Sequence, residues 1–294
     1  MIKRELKDSI RIHGESFYPF WERVIIINPS KYSWISINWI IVNRETLVPQ
    51  KGFWWSRYLS VVDPKTGWTY AEVVEHFLSA CYSTWISNIT VESPRVMPVV
   101  WPWIHGLYNE LLKHSEIVEK DSGPLVIQRK ITFYSNDWSC TFSVEPSETL
   151  DISIERIWDG EIWIDTHISV KDVYRFISEN ENARKARPIA RLQNRIINST
   201  QYVMESLGWY GVSSKNYILH RPWATTKSIQ EQMYPEFQNL WNEHLAHTLV
   251  ADLFGELHTF FPHWIVWKIS LKWKNNHFTR MELLHALYNQ IKPL

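Results

Sequence analysis

The chain has 294 residues, of which 45% are hydrophobic and 21% are charged, and its lysines and arginines balance its aspartates and glutamates. Such a composition is typical of a folded protein of one large or two ordinary domains and argues against disorder, while the net charge of zero argues against a dedicated nucleic-acid binder. Two cysteines are too few for a disulfide framework or a cysteine zinc site, so we expect Cys81 and Cys140 to be buried free thiols.

The N-terminal residues Met1–Asp8 are mostly charged and no apolar run follows them, which argues against a secretory signal. No stretch reaches 18 continuous apolar residues, the length that a membrane-spanning helix needs. We therefore expect a soluble cytoplasmic protein that does not associate with membranes.

The first elements in chain order are strands rich in Ile, Val and Trp at 22–29, 33–43 and 53–62. Thr69–Glu72 has the spacing of a capping box and predicts a helix that runs to about Ser87. Proline residues interrupt the chain after that point, and a second helix is predicted over 102–119.

Residues 124–170 are predicted to form an antiparallel meander, because apolar residues alternate with polar ones in four short runs. Asn136-Asp137 marks one turn, and Asp159-Gly160 is the strongest hairpin signal in the chain. The predicted strands are 124–134, 137–145, 149–158 and 161–170.

The C-terminal part is predicted to be mainly helical. Its helices are expected at about 170–182, 188–208, 235–254 and 279–291, and its one convincing strand at 265–273. Strands and helices thus come in separate runs, which predicts an α+β fold with antiparallel β-meanders and segregated helices. The expected regions are an N-terminal α+β region, 1–123, and a meander with a helical C-terminal part, 124–294, or one continuous domain.

The predicted helix that begins at Pro188 carries a basic stripe. At 100° per residue, Arg187, Arg191 and Arg195 lie on one face, and apolar residues lie on the opposite face. Segment 184–195 could bind phosphates or an acidic partner. The alternative is pairing with the acidic segment 145–181 of the same chain, which holds ten acidic and three basic residues.

The 18 tryptophans are the unusual feature of the composition. Trp39, Trp267 and Trp273 recur at period two in predicted strands and are expected in the core. Trp54 and Trp55 are adjacent in a predicted strand, so one of them must point away from whatever the other packs on. Trp101 and Trp103 flank Pro102 in a segment that the proline makes stiff. The candidate surface anchors are Trp54, Trp55, Trp101 and Trp103, of which at least one is expected to bind a partner. The alternative is that a second sheet or layer covers them.

Metal chemistry has weak support in the sequence. His244 and His247 share a face of a predicted helix and Asp252 follows, but twelve histidines produce such spacings by chance. A nuclease-like arrangement of Asp121 with Gln128–Lys130 is nearly too short to place the aspartate on its own strand. We predict no bound metal and no cofactor.

Sequence motifs for phosphate cradling, dinucleotide binding and acyl transfer are absent, which lowers the expectation of catalysis. The favoured interpretation is a non-enzymatic recognition protein that binds another macromolecule, preferably a protein, as an adaptor, immunity or host-defence protein would. The first alternative is a protein that binds or cleaves nucleic acid through 184–195. The second is a binder of small molecules or glycans whose indoles line a pocket.

Overall fold

The structure is a computed structural model of the chain. It describes residues 2–15, 22–51, 57–98, 103–120, 123–158, 163–171, 195–198, 217–220, 241–261, 265–274 and 276–291. All structural statements below concern these residues.

The described residues contain four helices and seventeen strands, which establishes the mixed α+β class. The helices are α1 (Glu75–Thr84), α2 (Trp103–Lys113), α3 (Trp241–Phe260) and α4 (His277–Ile291). The strands before residue 100 are β1 (Ile2–Leu6), β2 (Ile10–Glu15), β3 (Glu22–Pro29), β4 (Ile35–Ile37), β5 (Ile40–Ile41), β6 (Leu47–Lys51), β7 (Arg57–Val62), β8 (Thr69–Glu72) and β9 (Ile89–Glu92). The later strands are β10 (Ser115–Lys120), β11 (Ile131–Tyr134), β12 (Cys140–Pro146), β13 (Asp151–Trp158), β14 (Trp163–Val170), β15 (Arg195–Asn198), β16 (Tyr217–His220) and β17 (Trp267–Lys274).

The N-terminal strands form one large sheet and two small ones. The five-stranded sheet has the order β2-β3-β9-β4-β5, and its pairs are antiparallel except for β4 and β9, which are parallel. The three-stranded sheet β6-β7-β8 is antiparallel, as is the ribbon β1-β10. In the larger sheet, Ile25, Ile27 and Ile37 are fully buried, because alternate residues of each strand face the core.

The second five-stranded sheet corrects the predicted meander. Its order is β11-β12-β17-β13-β14, so the strand near the C-terminus lies between β12 and β13. β17 is antiparallel to β12 and parallel to β13. The alternation of β17, whose Trp267, Ile269 and Leu271 are buried on one face, predicts a strand but does not select its neighbours. Its position between β12 and β13 follows from long-range packing, which a prediction from consecutive strands misses. The pairs β11–β12 and β13–β14 are antiparallel as predicted, but the predicted strand 124–134 is a strand only at Ile131–Tyr134, and the Asp159-Gly160 turn lies outside the described residues.

Helices α1, α3 and α4 join the two large sheets in one core, since buried side chains from both sequence regions belong to a single hydrophobic cluster. α3 crosses α1 closely at Gly255, where an added Cβ would lie 2.8 Å from the carbonyl oxygen of Glu75. α4 contacts α3, β6, β7 and β11. Both cysteines are buried and free, as predicted, and burial raises the pKa of the Cys81 thiol.

Two helix predictions in the N-terminal region need correction. Thr69–Glu72 is strand β8 and caps no helix, and α1 begins after it at Glu75. Helix α2 ends at Lys113, and strand β10 occupies the rest of the predicted helix 102–119. Within the described residues no helix is long and apolar enough to cross a membrane.

Candidate interaction surface

The β4–β5 hairpin presents a tryptophan at its tip. Ile37 pairs with Ile40, so Asn38 and Trp39 are the two central residues of the turn, and both have positive φ, 48° and 70°. Positive φ at both positions is the signature of a type I′ turn, in which Asn followed by Gly is the preferred pair. Trp39 therefore occupies a position that favours glycine.

The side chain of Asn38 holds this turn against neighbouring segments. Its Nδ2 donates hydrogen bonds to the carbonyl oxygens of Tyr70, at 2.9 Å, and Ser93, at 2.8 Å. Its Oδ1 accepts the N–H of Ser93 at 2.9 Å. Trp68, which is 62% exposed, lies two residues before Tyr70 and so belongs to the same region of the surface.

The prediction that Trp39 is a core residue is wrong, because its side chain is 86% exposed. The period-two pattern holds through Ile35 and Ile37, which are buried, and the turn then ends strand β4. Ile41 lies opposite Ser36 in β5 and is also exposed.

Exposed apolar side chains continue from Trp39 along the outer side of the hairpin. Trp34 precedes the buried Ile35 and is exposed, and its ring stacks on Tyr32 with centroids 4.7 Å apart and planes 7° apart. Lys31 Nζ lies 5.3 Å from the centre of the Tyr32 ring. We define the Trp39 surface as Tyr32, Trp34, Trp39 and Ile41.

A second exposed tryptophan lies at the β11–β12 connection. Trp138 is 69% exposed and has φ of 56°, and its ring lies 5.0 Å from that of Tyr134. Ser135 Oγ donates to Asp137 Oδ1 at 2.7 Å, and Glu282 Oε1 of α4 accepts the N–H of Asn136 at 2.9 Å. We define the Trp138 turn as residues 134–140.

A buried group of charged side chains joins α3 to α4, and we define it as the α3–α4 charge cluster: Asp252, Glu256, His277 and Arg280. Arg280 Nε donates to Glu256 Oε2 at 2.6 Å, and His277 Nδ1 lies 2.7 Å from Glu256 Oε1. Glu256 is 0% exposed and Arg280 is 1% exposed. Burial raises the pKa of Glu256 to about 7, although the Arg280 guanidinium opposes the shift.

Of the residues considered as metal ligands, His244 and His247 lie in α3, but their side chains are outside the described part of the structure. Asp252 belongs to the α3–α4 charge cluster, whereas His258 is buried beside the ring of Tyr82, 5.8 Å away. Burial lowers the pKa of His258 to about 4. Among the described residues no group of three or more His, Cys, Asp or Glu side chains could hold a metal ion.

The predicted binding residues fall largely outside the described part of the chain. Trp54, Trp55, Trp101, Arg187 and Arg191 all lie outside the described residues, and Trp103 is the first residue of α2.

Arg195 begins strand β15, which pairs in parallel with β16. The helix predicted over 188–208 is therefore wrong at Arg195–Asn198, where the β-branched pair Ile196-Ile197 favours a strand. A helical stripe through Arg195 no longer follows.

Sequence analysis did not predict the exposure of Trp39 and Trp138, the two tryptophans that lie in turns with positive φ, although the sequence held a signal for each turn. Asn38 is a residue that tolerates positive φ, and Asn136-Asp137 had been predicted as a turn directly before Trp138. Comparisons of the chain with protein-family models and with curated protein sequences find no match.

Proposed function

We propose that this chain is a recognition protein that binds another protein through the Trp39 surface. The observation that carries the proposal is an almost fully exposed indole at a turn position that favours glycine. Tryptophan is enriched among the residues that dominate binding energy at protein interfaces.

Neither stability nor solubility explains Trp39. A residue with a Cβ in the left-handed region costs about 1–2 kcal/mol, and an indole exposed to water recovers little of that cost by burial. Strained backbone at an exposed aromatic residue is typical of sites that bind a ligand. The bonds of Asn38 with Tyr70 and Ser93 hold the backbone of the turn in place before any partner arrives, which reduces the ordering cost of binding.

A protein partner suits the composition of this surface better than a nucleic acid does. Ile41 and Trp34 supply aliphatic and aromatic area, which is the chemistry of an interface core. The nearby cation Arg95 is engaged, because its Nε lies 2.8 Å from Glu72 Oε1. A nucleic-acid site would need several unpaired cations along a backbone path.

The test compares partner capture by the unaltered chain and by two substituted chains. Trp39→Gly removes the indole and supplies the residue that the turn favours, so the fold should survive. Trp138→Gly is the matched control, because it removes an exposed indole from another turn with positive φ. Proteins retained from native cells are identified by mass spectrometry, and the strongest candidate is purified and titrated against all three chains.

The expected result is one protein partner whose affinity falls by at least about 30-fold with Trp39→Gly, the loss of a binding hot spot, and by less than threefold with Trp138→Gly. Equal affinity of all three chains would refute the role of the Trp39 surface. Binding of single-stranded oligonucleotides or of glycans that Trp39→Gly abolishes would favour the corresponding alternative function.

A further inference from the structure

The α3–α4 charge cluster is isolated from water, so its net charge affects the stability of the contact between the two helices. Asp252 and Glu256 are one helical turn apart on α3, and His277 and Arg280 are three residues apart on α4, so each pair shares a face of its helix. All four side chains are buried. Unbalanced charge is costly in such a place, because burial removes the hydration of every ion.

The charge count of the cluster favours one extra proton. Two ionised carboxylates and one guanidinium leave one negative charge, which one proton on His277 or Glu256 would neutralise. The imidazole lies between the two acids, since its Nδ1 lies 2.7 Å from Glu256 Oε1 and its Nε2 lies 3.7 Å from Asp252 Oδ2. Arg280 Nη2 also lies 3.0 Å from Nδ1, so Nδ1 either donates to Glu256 or accepts from Arg280. In the second arrangement the extra proton lies on the Glu256 carboxyl group.

The elements packed against α3 carry their own buried and exposed ionisable side chains. On α1, Glu75 is turned toward β7, where its Oε2 accepts the N–H of Leu59, and His76 is buried. His258 on α3 is neutral because burial depresses its pKa. β13 turns Glu155 to its exposed face, where Lys272 pairs with it at 2.6 Å.

The remaining neighbours belong to the elements packed on α4. From β6, Lys51 Nζ lies 6.0 Å from the ring of Phe278, and from β7 comes the phenol of Tyr58, whose pKa is raised by burial. β11 contributes the half-buried Ile131 and Phe133, which pack against the core.

We infer that the α3–α4 charge cluster is a proton-binding site that holds α4 against α3, and that release of one proton loosens this helix. The proton is shared by Glu256 and His277, so it belongs to the pair rather than to one residue. Deprotonation leaves a net negative charge buried between the two helices.

The position of α4 affects both exposed tryptophan regions. Glu282 of α4 accepts the N–H of Asn136 in the Trp138 turn. Arg44 follows Ile41 of the Trp39 surface by three residues, and its guanidinium lies 4.1 Å from the centre of the Tyr288 ring of α4. Loss of the proton would therefore loosen contacts that support both regions. This consequence for recognition rests on the proposed function, whereas the proton-binding site does not.

The first measurement is the equilibrium constant for unfolding in urea between pH 5 and pH 7.5. Glu256 ionises at about 4.3 in an unfolded chain and at about 7 in the folded one, so its contribution to stability is lost as pH rises through this window. One proton changes the constant by up to about tenfold per pH unit. With these two values, we expect the ratio between the unfolding constants of the unaltered chain and of Glu256→Gln to change by about 40-fold from pH 5 to pH 7.

The matched control is Glu145→Gln on the exposed face of β12. The pKa of Glu145 is lowered by its bond with Lys130, so its contribution is complete above pH 5 and this variant should run parallel to the unaltered chain. A constant ratio for Glu256→Gln across the range would overturn the inference.

A second measurement needs no substitution and decides the matter if Glu256→Gln fails to fold. In NMR titrations of the unaltered chain, the Glu256 carboxyl carbon should titrate with a midpoint of about 7, and the Asn136 amide should follow it. An ordinary midpoint for Glu256 would overturn the proton-binding site, and a constant Asn136 shift would overturn its coupling to the Trp138 turn. Neither readout uses a partner, so failure of the proposed function is seen separately.

Discussion

Replacement of Trp39 by glycine should leave the fold intact, although the change removes a whole indole side chain. Glycine relieves the positive φ at this position, worth about 1–2 kcal/mol, and costs about 0.5–1 kcal/mol in unfolded-state entropy. The indole is 86% exposed, so its lost contacts cost roughly 0.5 kcal/mol. The expected change in the free energy of unfolding lies between about 0.5 kcal/mol of destabilisation and about 1 kcal/mol of stabilisation.

Trp85→Gly is the matched comparison, because Trp85 also has positive φ, 61°, at the C-terminus of α1. The backbone terms are therefore the same. Trp85, however, is half-buried, packs on the hydrophobic cluster and lies 5.8 Å from the ring of Tyr82. Truncation of a buried indole costs about 3–5 kcal/mol, so this variant should lose about 2 kcal/mol overall. Urea unfolding of both variants measures the difference, and destabilisation by Trp39→Gly equal to that of Trp85→Gly would refute the reasoning.

The other predictions concern the core and use the same assay. Gly255→Ala should destabilise the chain by about 1–3 kcal/mol despite the better helix propensity of alanine, because the new methyl group would lie 2.8 Å from the backbone oxygen of Glu75; a stabilised variant would show that α1 and α3 cross less closely. Arg280→Ala should lower the free energy of unfolding by about 3–5 kcal/mol, because it leaves Glu256 buried without its guanidinium partner. A decrease of less than about 1 kcal/mol, the usual worth of an exposed pair, would contradict the burial of this pair. Trp267→Ala should also lower the free energy of unfolding by about 3–5 kcal/mol, because this indole is fully buried and lies edge-on to the ring of Phe261. A change within the roughly 0.5 kcal/mol that is typical of surface substitutions would show that Trp267 is not a core residue.

Local pattern determined much of the secondary structure. The strand at 22–29, the hairpin β13–β14 and the final helix lie where periodicity and turn residues predict them, because each depends on contacts between near neighbours in sequence. The buried face of β17 was likewise visible in its alternation. These elements make the α+β class readable from the sequence alone.

Only the tertiary structure decided which strands pair and which tryptophans are exposed. An alternating strand fits any sheet with a free edge, so nothing local placed β17 between β12 and β13. Trp39 continued an apolar period of two, and its exposure depended on the bonds of Asn38 with Tyr70 and Ser93, which are distant in sequence.

The α3–α4 charge cluster was equally hidden from sequence patterns. Asp252 was noticed only beside two histidines, and its actual neighbours His277 and Arg280 belong to another helix. A charged residue has the same identity on the surface and in the core. Its burial is set by the packing of helices that are far apart along the chain, and sequence spacing carries no information about that packing.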